Sequence, residues 1–205
     1  MGRVRRRDAE GSRNAILDAA EAGFAERGYD GTTFSEICAQ ARVSRGLPSY
    51  LFGSKEELYR EVVGRAAGSL RKTVLDPLCR TVAKASLDEA LELAVASYLR
   101  YLAGHRRIVR LLQWEMLAAG GAVRPYAPST ELFDEMLRIL QPAFRRHGYS
   151  NDDAKNALAS IVSLCFFPFT SRFAARLTGL GNAHAADVAK LQKTILRLLR
   201  KGLLS

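Results

Sequence analysis

Cysteine, histidine and tryptophan are scarce in this sequence: three, three and one residues among 205. The cysteines, Cys38, Cys79 and Cys165, are odd in number, far apart and without a C-x-x-C pair, which argues against a disulfide scaffold or a zinc framework. His105, His147 and His184 fall at no metal-ligand spacing, and the chain has no nucleophile elbow, Walker loop or dinucleotide fingerprint. No metal, cofactor or catalytic residue is expected, and an all-α enzyme, the alternative reading, would have to assemble its site from scattered side chains. Long apolar runs are lacking too. The longest nearly apolar stretch, Ala157 to Phe169, is too short to cross a bilayer, and the opening MGRVRRRDAEGSR has five arginines but no apolar signal core. The expectation is a soluble, cytoplasmic protein with no membrane partner.

Acid is in short supply relative to base, with 21 Asp and Glu against 31 Lys and Arg, a formal net charge of +10. With 48% hydrophobic and 25% charged residues the chain can still bury a sizeable core, so it is no disordered polycation. The excess is unevenly placed. Residues 1 to 65 carry net +1 and residues 66 to 205 net +9. Phosphate attraction depends on local clusters, and two stand out: the first 13 residues, five basic to two acidic, and residues 42 to 55, where Arg42, Arg45 and Lys55 occur without an acid.

Nearly every segment reads at a helical period and none alternates as a strand would, which predicts an all-α protein. A first helix over residues 12 to 27 has Ile16, Ala19, Ala20, Gly23 and Phe24 on one stripe and Gly28 as its stop. After the Tyr29-Asp30-Gly31 turn, Thr32 or Thr33 can cap a short helix whose Phe34, Ile37, Cys38 and Ala41 share a face. Arg42-Val43-Ser44 is a tight connection, with Ser44 placed to cap a second short helix from about Arg45 to Phe52. Two short helices so joined read as a helix-turn-helix. Ser54-Lys-Glu-Glu57 is a capping box for a fourth helix that should end before Pro77. Further helices are expected over 86 to 104, 106 to 119, 129 to 147, 151 to 178, kinked at Pro168, and 185 to 204.

The stretch Ile16 to Leu58, with ILDAA and Phe24, AERGYDGTT, EICAQARVSRG and FGSKEEL in that order, resembles the TetR family of bacterial transcriptional regulators. The C-terminal part resembles it only in length, helicity and the closing LLRKGL. The resemblance implies a basic arm (1 to 11), a three-helix DNA-binding domain (12 to 53) and a larger helical domain for ligand binding and dimerisation (54 to 205). It implies a homodimer that represses from a palindromic double-stranded DNA operator and is released by a small-molecule effector, with the last two helices forming the dimer interface.

In the residues themselves, Val43, Leu47 and Phe52 can supply the buried side of the second short helix, leaving Arg45, Gly46, Ser49 and Tyr50 for DNA. Arg45 suits a guanine edge or a phosphate, Gly46 permits close approach, and the Tyr50 hydroxyl suits a phosphate. Thr33, Arg42 and Ser44 are further backbone-contact candidates, and Lys55 resembles the family's phosphate-contacting lysine. Two departures from the family pattern are Pro48, where many relatives have Leu or Ile, and Ser49, where a tyrosine is common. Arg3, Arg5, Arg6 and Arg7 form either a groove-binding arm or a solubilising tail.

Of the 17 Phe, Tyr and Trp residues, 11 lie beyond residue 65. Tyr98, Tyr101, Trp114, Phe133, Phe166 and Phe169 are candidates to line a site for a substantially apolar effector, or else are plain core. Glu115 either points inward, where it needs a partner such as Arg110 or a cationic ligand, or is a helix-surface carboxylate. The stripe Val188, Leu191, Ile195, Leu198, Leu199 and Leu203 needs something to cover it: a second subunit, the rest of its own chain, or a membrane surface.

Overall fold

The computed structural model describes the backbone of residues 2–118, 128–180 and 185–203, and the side chains of 10–117, 130–180 and 185–202. Among these all regular structure is helical. The chain divides into two compact units, one of residues 1–66 with 110–128, the other of residues 67–109 with 129–205.

The first unit holds α1 (Gly2–Arg27), α2 (Phe34–Ala41), α3 (Leu47–Phe52), most of α4 (Lys55–Leu70) and the C-terminal part of α7 (Arg106–Ala118). Its core is the stripe of α1 (Ile16, Ala20, Phe24) closed by Ile37, Phe52, Leu58 and Val62, with Leu111 of α7 added. Gly23 is there because α1 and the chain entering α2 nearly touch: a Cβ would lie 2.8 Å from the Thr32 methyl. Thr32 itself is 0% exposed, and its hydroxyl donates to the Gly28 carbonyl at 2.8 Å. Thr33, not Thr32, caps α2, in a full capping box with Glu36, and Ser54 and Glu57 form the corresponding pair at α4. Two ion-paired arginines join α1 to α4: Arg13 to Glu61, and Arg65 to both Asp18 at 2.6 Å and Glu21 at 2.7 Å.

α1 starts at Gly2, so the first 11 residues, read as an arm apart from the helix, continue its backbone. The side chains of Arg3, Arg5, Arg6 and Arg7 lie outside the described residues.

The second unit contains the end of α4, a π-helical turn (Arg71–Leu75), α5 (Asp76–Val82), α6 (Leu87–Gly104) and the start of α7. It continues with α8 (Pro128–Arg146), α9 (Asn151–Phe166), a 3-10 turn (Phe167–Phe169), α10 (Arg172–Leu177) and α11 (Ala185–Leu203). The fourth helix ends before Pro77, at Leu70, but the chain stays helical: a π turn, closed by Asp76 N–H on the Arg71 carbonyl, leads on so that Pro77 sits in the first turn of α5, where no amide is required. One expectation needs correction: 151 to 178 is not one kinked helix. Pro168 stops α9 in the 3-10 turn, and Ser171 caps a new helix by accepting from Ala174 N–H at 3.0 Å.

The apolar stripe of α11 is covered by its own chain. Leu191, Ile195, Leu196 and Leu199 are buried, and α11 packs on α6 and α9. Leu196 joins the stripe, whereas Leu198, counted in it from the sequence, is 53% exposed. The side chain of Leu203 lies outside the described residues.

Gly28→Ala should lower stability by about 1–2 kcal/mol or more, because φ is 74° there and a Cβ would meet the Trp114 ring at 3.1 Å. Gly68→Ala, with open space around its Cβ in a helix, should raise it by about 0.5–1 kcal/mol. Urea titrations of the two variants check the opposite signs. Capping hydrogen bonds hold the Glu36, Glu57 and Glu89 carboxyls below the ordinary value of 4.5. Depressed carboxyls stabilise the fold above their unfolded value and cease to do so as pH falls through the folded one. Melting temperature should therefore hold level from neutral pH down to about the ordinary value of 4.5 and fall progressively below it, with a shallower drop in Glu36→Gln and Glu57→Gln.

Candidate nucleic-acid interface

α3 is six residues long and begins at Leu47, not Arg45. The cause is Pro48, whose missing amide is harmless only in the first turn, where the helix makes no demand for it. Ser44 accordingly is not the cap. Gly46 occupies that position without a side-chain hydrogen bond, while the Ser44 carbonyl accepts from Leu47 N–H at 3.1 Å. Arg45 and Gly46 therefore stand in the turn that leads into α3, and Ser49 and Tyr50 on its first turns.

The helix is oriented by what it buries. Pro48 and Phe52 are buried, and Val43, Leu47 and Leu51 pack against the core of the unit. The Arg13 guanidinium sits 4.9 Å over the Phe52 ring, and the Cys38 thiol donates to the Arg45 carbonyl at 3.7 Å, tying the turn to α2. Arg42 ends α2 in the left-handed region at φ 57°, the only non-glycine positive φ among the described residues, with its N–H directed to the Ala39 and Cys38 carbonyls.

What remains outward is the set expected from the sequence. Thr33, Arg42, Ser44, Arg45, Gly46, Ser49 and Tyr50 are all exposed, Tyr50 at 84%. A Cβ on Gly46 would meet nothing within 4 Å, so the fold does not require glycine there. Thr33 is exposed but engaged, since its hydroxyl donates to the Glu36 carboxylate at 2.9 Å and accepts from the Glu36 amide. Lys55 is half-buried, its ammonium 4.4 Å above the centroid of the Tyr29 ring. From Ile37 to Lys55 the sequence contains no acidic residue.

The residues considered for an effector site do not form one group. Tyr98, Tyr101 and Phe166 are buried in the second unit, and Phe133 and Phe169 are half-buried there. Tyr101 stacks on His105 with centroids 4.2 Å apart, and burial holds the Tyr98 hydroxyl up and pushes the neighbouring Cys165 thiol up to about 12. A surface cleft of about 580 Å³ in the same unit, between Glu92 of α6 and Lys193, Arg197 and Lys201 of α11, includes none of these aromatics.

Trp114 and Glu115 belong instead to the first unit, because α7 passes into it from Arg110 onward. The Trp114 indole N–H donates to the Ala25 carbonyl at 3.3 Å, and its ring lies over Gly28. Glu115 accepts from the Tyr59 hydroxyl rather than from Arg110. Sequence reasoning missed this use of α7, the cation–π seat of Lys55 and the Arg13 contact. The helical spacing of Leu111, Trp114 and Glu115 marked a face without saying what it faced.

Residues 16–62 match the family model described as bacterial regulatory proteins, tetR family. Over 201 residues the chain is 29% identical to the HTH-type transcriptional repressor NicS of Pseudomonas putida, covering 92% of this chain and 88% of NicS. Its fold is similar to that of FadR from Bacillus subtilis, solved with stearoyl-CoA, at TM-score 0.68 and 22% identity, covering 90% of this chain and 96% of FadR. It is also similar to AibR, solved with isovaleryl coenzyme A and operator DNA, at TM-score 0.70 and 15% identity, covering 91% and 97%. The helix-turn-helix segment, residues 16–62, thus matches that of the tetR family of bacterial regulatory proteins, and the chain as a whole is similar in length and sequence to a curated repressor.

Proposed function

We propose that this protein is a homodimeric transcriptional repressor that occupies a palindromic DNA operator and leaves it when a small, substantially apolar molecule binds the second unit. The observation that carries the reading is the stretch from Arg42 to Lys55, which contains no acid and exposes Arg45 and Gly46 in the turn before α3 and Ser49 and Tyr50 on α3, whose opposite face is buried. A major-groove reader needs this division. Arg45 meets a guanine edge or a phosphate, Gly46 lets the backbone come close, and Tyr50 and Lys55 bond phosphates. Thr33, Arg42 and Ser44 lie where the flanking backbone passes.

Dimerisation uses the last two long helices. With the α11 stripe buried, the surfaces for it are the exposed Leu164 and Phe167 at the end of α9 and the exposed Leu198 of α11. Two recognition helices then read half-sites about 34–36 Å apart, one turn of DNA, or a multiple of it. The effector domain is the second unit, where Tyr98, Tyr101, Phe133, Phe166 and Phe169 supply apolar surroundings. FadR and AibR, similar in fold, were solved with acyl-CoA molecules, which makes acyl-CoA thioesters the first class to screen. The protein acts by binding and release without turnover, in the cytoplasm, where the chromosome is. No helix of the described residues is long and apolar enough to cross a membrane.

Fluorescence anisotropy with the DNA upstream of the protein's own gene, at two salt concentrations and against scrambled competitor, tests the reading. Selective binding with a steep salt slope is expected, and binding that scrambled DNA competes away equally would count against it. Arg45→Ala should cost about 1–3 kcal/mol per half-site with the melting temperature unchanged. Gly46→Ala should likewise leave the melt unchanged, since its Cβ meets nothing, yet weaken operator binding by crowding the groove.

A further inference from the structure

Trp114 and Glu115 are not among the candidate DNA contacts of the first unit, yet they touch the groups that hold them. The Tyr59 hydroxyl donates to a Glu115 carboxylate oxygen. Tyr59 meets Tyr29 edge to face, centroids 5.2 Å apart and planes at 78°, and the Lys55 ammonium lies over the Tyr29 ring. Phe24, fully buried, backs both tyrosines at 6.0 Å and 5.0 Å. Contacts thus run without a gap from α7 to the ammonium of Lys55. Trp114 secures the same region from the other side: its ring covers Gly28, whose φ of 74° turns the chain from α1 into Tyr29.

A lysine head on a four-carbon stem samples many rotamers, and ordering it against a phosphate costs entropy. An aromatic ring beneath the ammonium removes part of that cost in advance, provided the ring itself is fixed. Tyr29 is only half-buried, so its orientation depends on its neighbours, and Tyr59 is held by a charge-assisted hydrogen bond to Glu115.

We propose that Glu115 is a positioning residue for DNA binding: through the Tyr59 hydroxyl and the Tyr29 ring it keeps the Lys55 ammonium where a phosphate meets it. This rests on the DNA-binding reading above. Because α7 carries residues of both units, Arg106 to Val109 in one and Arg110 onward in the other, the α7 end of this chain of contacts lies on a helix that the effector unit shares.

The experiment is a double-mutant cycle, titrating Glu115→Ala, Tyr59→Phe, Lys55→Ala and their combinations by anisotropy against the DNA that the unmodified protein selects from a random pool. Tyr59→Phe keeps the ring packing and serves where Glu115→Ala folds poorly. Glu115→Ala and Tyr59→Phe should each weaken binding by a dimer, with its two sites, about five- to thirtyfold, and their combination no further. Lys55→Ala should lower the slope of log K on log salt by about two per dimer, and in its background Glu115→Ala should change affinity less than about twofold. Equal weakening by Glu115→Ala with and without Lys55 would overturn the positioning role. If the unmodified protein selects no sequence from the pool, the DNA-binding reading itself falls.

Discussion

A helix of six residues cannot hold itself together in water, because nucleation costs more than so few hydrogen bonds return. α3 exists because Pro48 and Phe52 are buried and Leu47 and Leu51 lean on a core that α1, α2 and α4 have already closed. Everything proposed for the interface depends on that burial. It fixes which side of the helix faces out, and it leaves the side chains of Arg45, Ser49 and Tyr50 exposed. Much of the first unit serves the same end. Ion pairs from Arg13 and Arg65 align α1 with α4, Thr32 ties the turn after α1, and Arg42 accepts a left-handed backbone so that α2 can stop one residue short of the turn.

Lys55 differs from the other exposed candidates in being held. Its ammonium lies on Tyr29, and Tyr29 lies within a cluster that reaches Glu115. A regulator released by a ligand needs some of its contacts to depend on the rest of the molecule, since contacts that are always ready contribute equally to the bound and released forms and cannot report a ligand. On the proposed reading Arg45 and Gly46, set by the local turn, supply affinity in either form, and Lys55, set through side chains that end on α7, is suited to being changed.

Much of this was legible in the sequence where the determining interactions are local. Phe34, Ile37, Cys38 and Ala41 share a face by spacing alone, and Ser54 with Glu57 announces α4 because both partners lie within one turn. The helix-turn-helix, its exposed residues and the all-helical class follow from such short-range rules. Prolines were read in part: the fourth helix does end before Pro77, but the π turn that carries the chain on into α5 was not foreseen, and Pro168 ends α9 instead of kinking it. The face of α11 was misassigned by one position because leucine or isoleucine fills 195, 196, 198 and 199, so that two overlapping stripes fit and only packing on α6 and α9 selects between them. Trp114 and Glu115 were grouped with the effector aromatics on composition, but their partners Ala25 and Tyr59 are 89 and 56 positions distant, beyond any local rule.

The energetic scale of regulation follows from the same division. Each exposed side chain gives up well-hydrated contacts to meet DNA, so its net contribution is a few kcal/mol at most, and the phosphate contacts weaken further with salt. A dimer makes every contact twice, and a loss that is small in one protomer is doubled in the complex. Release therefore does not require the recognition helix to unfold or the core around Phe24 to open. A change in two lysine seats, together with a misfit in half-site spacing, reaches the roughly 1–3 kcal/mol typical of coupling between sites. That is well below the cost of disrupting the buried residues that hold α3, so the reading surface can stay folded in both states while its affinity changes.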